Sequence, residues 1–236
     1  MLSRTGSWSF NVGGSGDALT ITAAQLANAG LAAGDFCFMA VTTVGSASTD
    51  SGGTLAPVFP AGWTTLVGPE YQAYGVQYYT STIVVKLLTS ADIASGVTLT
   101  TTNGLTPNMW DVSFMGYSSS GGPGTVPIYI DKIVSAENYG ITTNAAITPR
   151  AANEWLLGLA IVEPNGESYG VTVTGTKTLP VVTYTPDNVT CVMLDSNGTV
   201  ARSLMSEVFT GPGENFWAAL VAISDTPPPS GFFDFF

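Results

Sequence analysis

Hydrophobic runs along the chain are short, and the strongest are FCFMAVTTV (36–44), WDVSFMGY (110–117), EWLLGLAIV (154–162) and FWAALVAIS (216–224). In EWLLGLAIV, Trp155, Leu157, Leu159 and Ile161 share one face of a strand, and Leu156, Gly158, Ala160 and Val162 share the other. Two apolar faces predict a central strand covered on each side. WDVSFMGY alternates instead: Trp110, Val112 and Phe114 point one way and Asp111 and Ser113 the other, which predicts one wet face. Shorter strand patterns lie at WTTLV (63–67), YGVQYYTSTIVVKLL (74–88), VTLTTT (97–102), YGVTVTGT (169–176), VVTYT (181–185), VTCVML (189–194) and TVARSLMSEVF (199–209). Turn residues bound them at short intervals, as in sandwiches and barrels. Two short helical turns are expected, AAQLANAG (23–30) after Thr22 and ADIASG (91–96) after Thr89 or Ser90, each closed by Gly.

The two halves of the chain repeat weakly. AAGDF leads into FCFMAV, TPRAANEW leads into WLLGLAIV, and each half ends on a Trp-led strand, at Trp110 and Trp217. The Gly/Ser/Thr-rich GSASTDSGGTLAP (45–57) reads as a surface loop that lengthens the first half. The expected fold is all-β, a jelly-roll-like β-sandwich of two similar four-strand halves, within residues 19–225. Its halves are 19–117 and 128–225, joined by the Gly/Ser/Pro-rich 118–127, with an extended N-terminal arm (1–18) and a Pro/Phe-rich C-terminal tail (226–236). The join leaves two separate domains as the competing arrangement. Covering the apolar strands on both faces favours one.

Composition agrees with a β-protein. Charged residues are only 10% of the chain, against roughly 25% in an average soluble domain, so polarity must come from Thr, Ser, Asn and Gly. Six basic residues against seventeen acidic give a net charge of −11. Arg4, Lys86, Lys132, Arg150, Lys177 and Arg202 are scattered, so nucleic acid is not an expected partner, because phosphate binding needs clustered cations. MLSRTGSWSF lacks the apolar core of a signal peptide, and no run approaches the ~18 apolar residues of a membrane span. The expectation is a product made and kept in the cytoplasm, without membrane contact. Cys37 and Cys191 sit in apolar runs and read as small buried thiols, with a disulfide between them left open.

A recurring pattern joins several of these segments: Gly34-Asp35 before FCFMAV, Pro60-Ala61-Gly62-Trp63-Thr64, Lys86-Leu87-Leu88-Thr89-Ser90-Ala91-Asp92, and the Trp-led strand Trp110 to Tyr117. In this the chain, from about Thr20 to Ile223, resembles a group of phage and prophage proteins. The resemblance implies a jelly-roll-like sandwich displayed on a virion, as a capsid decoration (cement) subunit or a part of the tail or its fibres. Its partners would be other virion proteins, major capsid or tail proteins, and further copies of itself; its location would be the virion, after synthesis in the host cytoplasm. The second half departs from the pattern, with Asn153-Glu154 in place of Gly-Asp and no second Pro-x-Gly-Trp.

The absence of His removes Ser-His-Asp and Cys-His catalysis and the commonest zinc ligand together. Gly116-Tyr117-Ser118-Ser119-Ser120 nearly spells a nucleophile elbow, but Ser120 stands where the second Gly is needed. NVGGSGD (11–17) lacks the Lys and following helix of a phosphate loop and reads as a linker. Glycoside hydrolysis needs only two carboxylates, and Asp35, Asp111, Asp131, Glu154 and Glu163 are conceivable partners. Asp35 and Glu154, however, stand at strand entrances, where acids commonly bind their own backbone. Asp50, Asp187 and Asp195 lie in turn-like segments without EF-hand spacing. The expectation is therefore no enzyme, no catalytic residues, no cofactor and no metal.

Recognition falls to aromatic residues. The tail TPPPSGFFDFF places Phe232, Phe233, Phe235 and Phe236 after an extended proline spacer, as an anchor for a neighbour, and Trp8 and Phe10 in the N-terminal arm are expected to dock likewise. Trp63, Tyr71 and Tyr74 form a weaker candidate platform for a host glycan, against which stands packing of these rings into the sheet. A capsid decoration subunit is the leading expectation and a glycan-binding tail or fibre component the alternative. An extracellular carbohydrate-binding or hydrolysing protein comes third.

Overall fold

A computed structural model describes residues 1–13, 16–46, 55–74, 77–119, 122–123, 128–138, 142–151, 153–162, 172–177, 179–184, 190–210 and 216–227. The first half contains β1 (Leu2–Gly13), β2 (Ala18–Ile21), α1 (Ala23–Asn28), β3 (Phe36–Ser46), β4 (Pro57–Val58), β5 (Thr64–Tyr74), β6 (Gln77–Leu87), α2 (Ser90–Ser95), β7 (Val97–Thr101) and β8 (Met109–Ser119). The second contains β9 (Tyr129–Asn138), β10 (Thr142–Ile147), β11 (Glu154–Val162), β12 (Thr172–Gly175), β13 (Val181–Tyr184), β14 (Thr190–Val200), β15 (Met205–Thr210) and β16 (Phe216–Ser224). The fold is all-β, a stack of antiparallel sheets in β-sandwich packing.

Strand order shows that the halves are alike. The first builds a five-stranded sheet, β1-β8-β3-β6-β5, and a three-stranded sheet, β2-β7-β4. The second builds β9-β16-β11-β14-β13 and β10-β15-β12, the same orders displaced by eight strands. Each half thus holds eight strands, not the expected four. The missed ones include β2, four residues long, and β4, two residues long, too short to show a period. The expected N-terminal arm is also a strand: Leu2–Gly13 pairs along β8, Trp8 opposite Phe114 and Phe10 opposite Val112.

The two five-stranded sheets lie back to back. Phe38, Ala40, Ile83, Met115 and Tyr117 of one meet Leu157, Leu159, Met193, Trp217 and Val221 of the other in a single core. On the far side of the first large sheet, Cys37, Met39, Val41, Trp110, Val112 and Phe114 pack with Leu19, Ile21, Val97, Leu99 and the α1 residue Leu26. On the far side of the second, Leu156, Ala160, Val192, Leu194 and Leu220 pack with Ile147, Val173, Met205 and Phe209. Four layers result, and β11 has both faces buried. The wet face expected for WDVSFMGY is dry: Asp111 and Ser113 are fully buried, because the second half covers them.

Pairing registers equate positions between halves. Phe38 stands opposite Val85 and Met115, and Leu157 stands opposite Asp195 and Val221. It follows that Phe36 corresponds to Trp155, Val85 to Asp195 and Tyr117 to Ile223. Trp110 corresponds to Phe216, so the two Trp-led strands are offset by one residue and Trp217 faces the shared core while Trp110 faces away from it. Bulges fall at matching places, after Arg4 in β1 and opposite the Ala222/Ile223 step in β9, where Thr5 and Asp131 are the extra residues.

Both helices carry the expected caps. The Thr22 hydroxyl accepts from the Gln25 N–H at 3.2 Å, and the Thr89 hydroxyl accepts from the Asp92 N–H at 3.2 Å. Asp92 also ion-pairs with Lys86 at 2.7 Å. The linkers after β10 and β14 contain no helix among the described residues.

Candidate functional site

The seam between the halves has a polar middle and two unlike flanks. In the middle, β3, β6 and β8 turn Thr42, Ser81 and Ser113 towards β14. Thr42 Oγ1 lies 2.8 Å from Ser81 Oγ and 3.2 Å from Cys191 Sγ, and Ser113 Oγ donates to the Cys191 carbonyl at 2.9 Å. Burial, with the Asp111 carboxylate adding, pushes the Cys191 thiol up to about 12. Burial also raises the Cys37 thiol. The two cysteines are free and belong to different cores, so they do not pair, and both are far from the thiolate form that reacts.

One flank is closed by side chains. Arg4 of β1 donates to Asp195 Oδ2 of β14 at 2.7 Å, and the Tyr117 hydroxyl of β8 donates to the same oxygen at 2.9 Å. Asp195 Oδ1 accepts from the Asn197 N–H at 2.9 Å, so this fully buried carboxylate is hydrogen-bonded on both oxygens. Trp155 meets the Tyr117 ring edge-on at 5.9 Å between centroids.

The other flank is hollow. Its corresponding positions are Ile130, Val85, Ile223 and Phe36, and the shorter, apolar side chains leave a groove of about 560 Å³. Phe36, Leu66, Val85, Leu87, Ile128 and Ile130 line it, with Gly62, Thr64, Lys86 and Tyr129. Leu87 is 52% exposed on its rim. Ser224, the last residue of β16, pairs with Tyr129 of this lining.

The carboxylates proposed as catalytic partners are placed as follows. Asp35 Oδ2 accepts from the Ala32 N–H at 2.8 Å, and Glu154 Oε1 accepts from the Ala151 N–H at 2.9 Å. Both acids are buried and both close the turn before a central strand. Burial pushes the Asp35 carboxyl above its usual range, while the Ala32 N–H and the Thr5 hydroxyl pull it back. Glu154 is pushed up to about 7 by burial, and here the Asp131 carboxylate adds to the rise. Asp131 in turn accepts from the Arg150 N–H at 2.9 Å. Asp131 and Glu154 are therefore brought together, as a buried pair in which Glu154 holds its proton near neutrality. Glu163, Asp50 and Asp187 lie outside the described residues.

Trp8 and Phe10, expected to dock on a neighbour, are half-buried and pack against the chain's own core on the far side of the first sheet, where strand pairing of β1 places them. Trp63 belongs to the same core edge, 6.0 Å from Phe59 and 5.9 Å from the Lys86 ammonium. Tyr71 is 37% exposed and stacks on Tyr78 at 5.7 Å, so Trp63 and Tyr71 do not form one platform: Trp63 packs inward and Tyr71 remains on the surface. The Tyr74 side chain and Phe232, Phe233, Phe235 and Phe236 lie outside the described residues. No sequence signal marks the groove, since its lining comes from strands far apart in the chain.

Among the described residues no group of three or more His, Cys, Asp or Glu stands so as to hold a metal ion, and no helix is long and apolar enough to cross a membrane. No family model, curated protein or solved structure matches the chain.

Proposed function

We propose that this chain is a structural subunit of a tailed-phage particle, a capsid decoration or cement protein that docks on neighbouring virion proteins. The observation that carries the reading is the apolar groove at the seam, which opens beside the point where the Pro/Phe-rich tail leaves β16. A rimmed apolar hollow of this size is what a protein partner would cover. Within each half the order 1-8-3-6 beside 2-7-4 follows a two-Greek-key jelly roll, except that the fifth strand joins the larger sheet, so the jelly-roll-like reading is carried by each eight-strand half and not by one sandwich of two four-strand halves. The Gly-Asp, Pro-x-Gly-Trp-Thr and Trp-led segments that resemble phage proteins all take part in the first half of this frame.

The Tyr71–Tyr78 stack, partly exposed, favours a second reading, a tail or fibre component holding a host glycan. Quantitative mass spectrometry of purified particles separates the two. A decoration subunit is expected in many copies, in proportion to the major capsid protein. A few copies per particle would favour the tail, and absence from particles would end both readings.

A further inference from the structure

We infer that the buried Asp131–Glu154 pair is a proton-operated latch on the turn between β10 and β11, closed while Glu154 carries its proton and released as that proton leaves. The inference is independent of the structural-subunit reading.

Two carboxyl groups hold one short stretch of backbone. Asp131 Oδ2 accepts from the Arg150 N–H at 2.9 Å, and Glu154 Oε1 accepts from the neighbouring Ala151 N–H, also at 2.9 Å. Each acid is left with one buried oxygen, Asp131 Oδ1 and Glu154 Oε2, that accepts from no N–H or hydroxyl donor. A buried acceptor without a donor is costly. Arg150 answers this need poorly, since its Nε stands 3.8 Å from Asp131 Oδ1 and its side chain is 38% exposed. β14 sets the apolar Val200 opposite Glu154, β16 sets Ile223 opposite Trp155, and no charge besides Asp131 and Arg150 acts on Glu154. A proton on Glu154 supplies the missing donor, because the neutral carboxyl hydrogen-bonds the Asp131 side chain.

Burial pushes Glu154 up to about 7; the Ala151 N–H opposes the rise and the Asp131 carboxylate adds to it. Once Glu154 ionises, two like charges share a dry site. Opening the turn brings water to both while β9 and β11 stay paired with β16, so local release of the Arg150 and Ala151 N–H groups relieves the repulsion. The first half lacks the device, because Thr5 stands beside Asp35 where the second half has Asp131.

Trypsin digestion of the full chain tests this, with cleavage after Arg150 scored against cleavage after the exposed Arg202 in the same digest so that the protease's own pH dependence cancels. Cleavage of a transiently opened turn follows its open population. The ratio is expected to rise at least tenfold from pH 5.5 to pH 8. Glu154→Gln should hold it within twofold, since the amide keeps an acceptor for Ala151 and a donor for Asp131 without a charge. Asp131→Asn should shrink the rise at least threefold, because Glu154 then ionises beside a neutral donor. A ratio independent of pH would overturn the inference, as would a rise that Glu154→Gln or Asp131→Asn leaves in place. Amide exchange followed by NMR at pH 8 shows whether the opening is local: protection of Arg150 and Ala151 should be at least a hundredfold lower than that of Leu157 and Leu159 in β11. Equal protection would mean that the turn is freed only when the whole fold opens, and the latch would be lost.

Discussion

The first half seats Asp35 beside the Thr5 hydroxyl, and the second seats Glu154 beside the Asp131 carboxylate, at the same bulge of the same strand order. One frame has been fitted twice with different chemistry. In both halves an acid accepts the backbone N–H three residues upstream and closes the turn into the central strand. Beside the first acid stands a neutral hydroxyl and beside the second another carboxylate, which raises Glu154 further. The flanks of the seam teach the same lesson: where one is locked by a buried ion pair, the other is lined with apolar groups and open.

The largest difference lies above β1. In the first half α1 presses on the sheet where Gly6 pairs with Gly116, and a Cβ at Gly6 would meet the Ala29 carbonyl oxygen. A Cβ at Gly116 would meet Leu31 Cδ2 and, at 2.8 Å, Thr5 Oγ1. The matching pair in the second half is Lys132 and Ala222, with no helix above it among the described residues. Gly6→Ala is therefore expected to cost about 3 kcal/mol, since the obstacle is backbone and cannot rotate away. Lys132→Ala should stay within about 0.5 kcal/mol. Chemical denaturation of both variants checks this, and equal losses would mean that α1 does not bear on β1.

Much of the frame was readable from alternation alone. The two apolar faces of 154–162 correctly indicate a strand inside the stack, and Thr22 and Thr89 mark the helix starts. What alternation cannot distinguish is water from a second sheet. Asp111 and Ser113 read as wet because they are polar, whereas they face a buried seam where Thr42, Ser81 and the Cys191 backbone supply polar neighbours. The N-terminal segment read as an arm because Gly residues flank it, although Trp8, Phe10 and Val12 already alternate. The groove was not readable at all. It arises from which residues of β5, β6 and β9 fall at one level, and that depends on register and bulges.

A second prediction sharpens the carboxyl comparison through pH. In the unfolded chain Glu154 ionises near 4.5, and in the fold it holds its proton up to about 7. Its contribution to stability is thus complete below pH ~4.5 and is lost as pH rises to about 7, an effect on the order of 3 kcal/mol. Glu154→Gln should remove most of that slope. Asp131→Thr, which installs the first half's partner, should shift the loss to lower pH. Burial also raises Asp35 and Glu207, so a smaller slope of the same sign should remain. Unfolding midpoints measured from pH 4 to pH 8 decide the matter, and an unchanged slope in Glu154→Gln would show that the pair does not hold the proton.

The smallest expected effect concerns the turn residue before each acid. Gly34 has φ 91° and Asn153 has φ 74°, so both halves require the left-handed region at this point although only one uses glycine. Asn tolerates that region better than other residues with a Cβ, because its short side chain bonds locally. Asn153→Gly should accordingly change stability by no more than about 0.5 kcal/mol, while Asn153→Ala should cost about 1 kcal/mol. Gly34→Asn should be milder than Gly34→Ala by a similar margin. These small differences separate two accounts of the repeat. If Asn153→Ala proves as mild as Asn153→Gly, the turn is held by the Glu154 carboxyl alone and backbone conformation is not what the two halves share. If Ala is worse at both positions, Asn153-Glu154 and Gly34-Asp35 serve as the same structural unit.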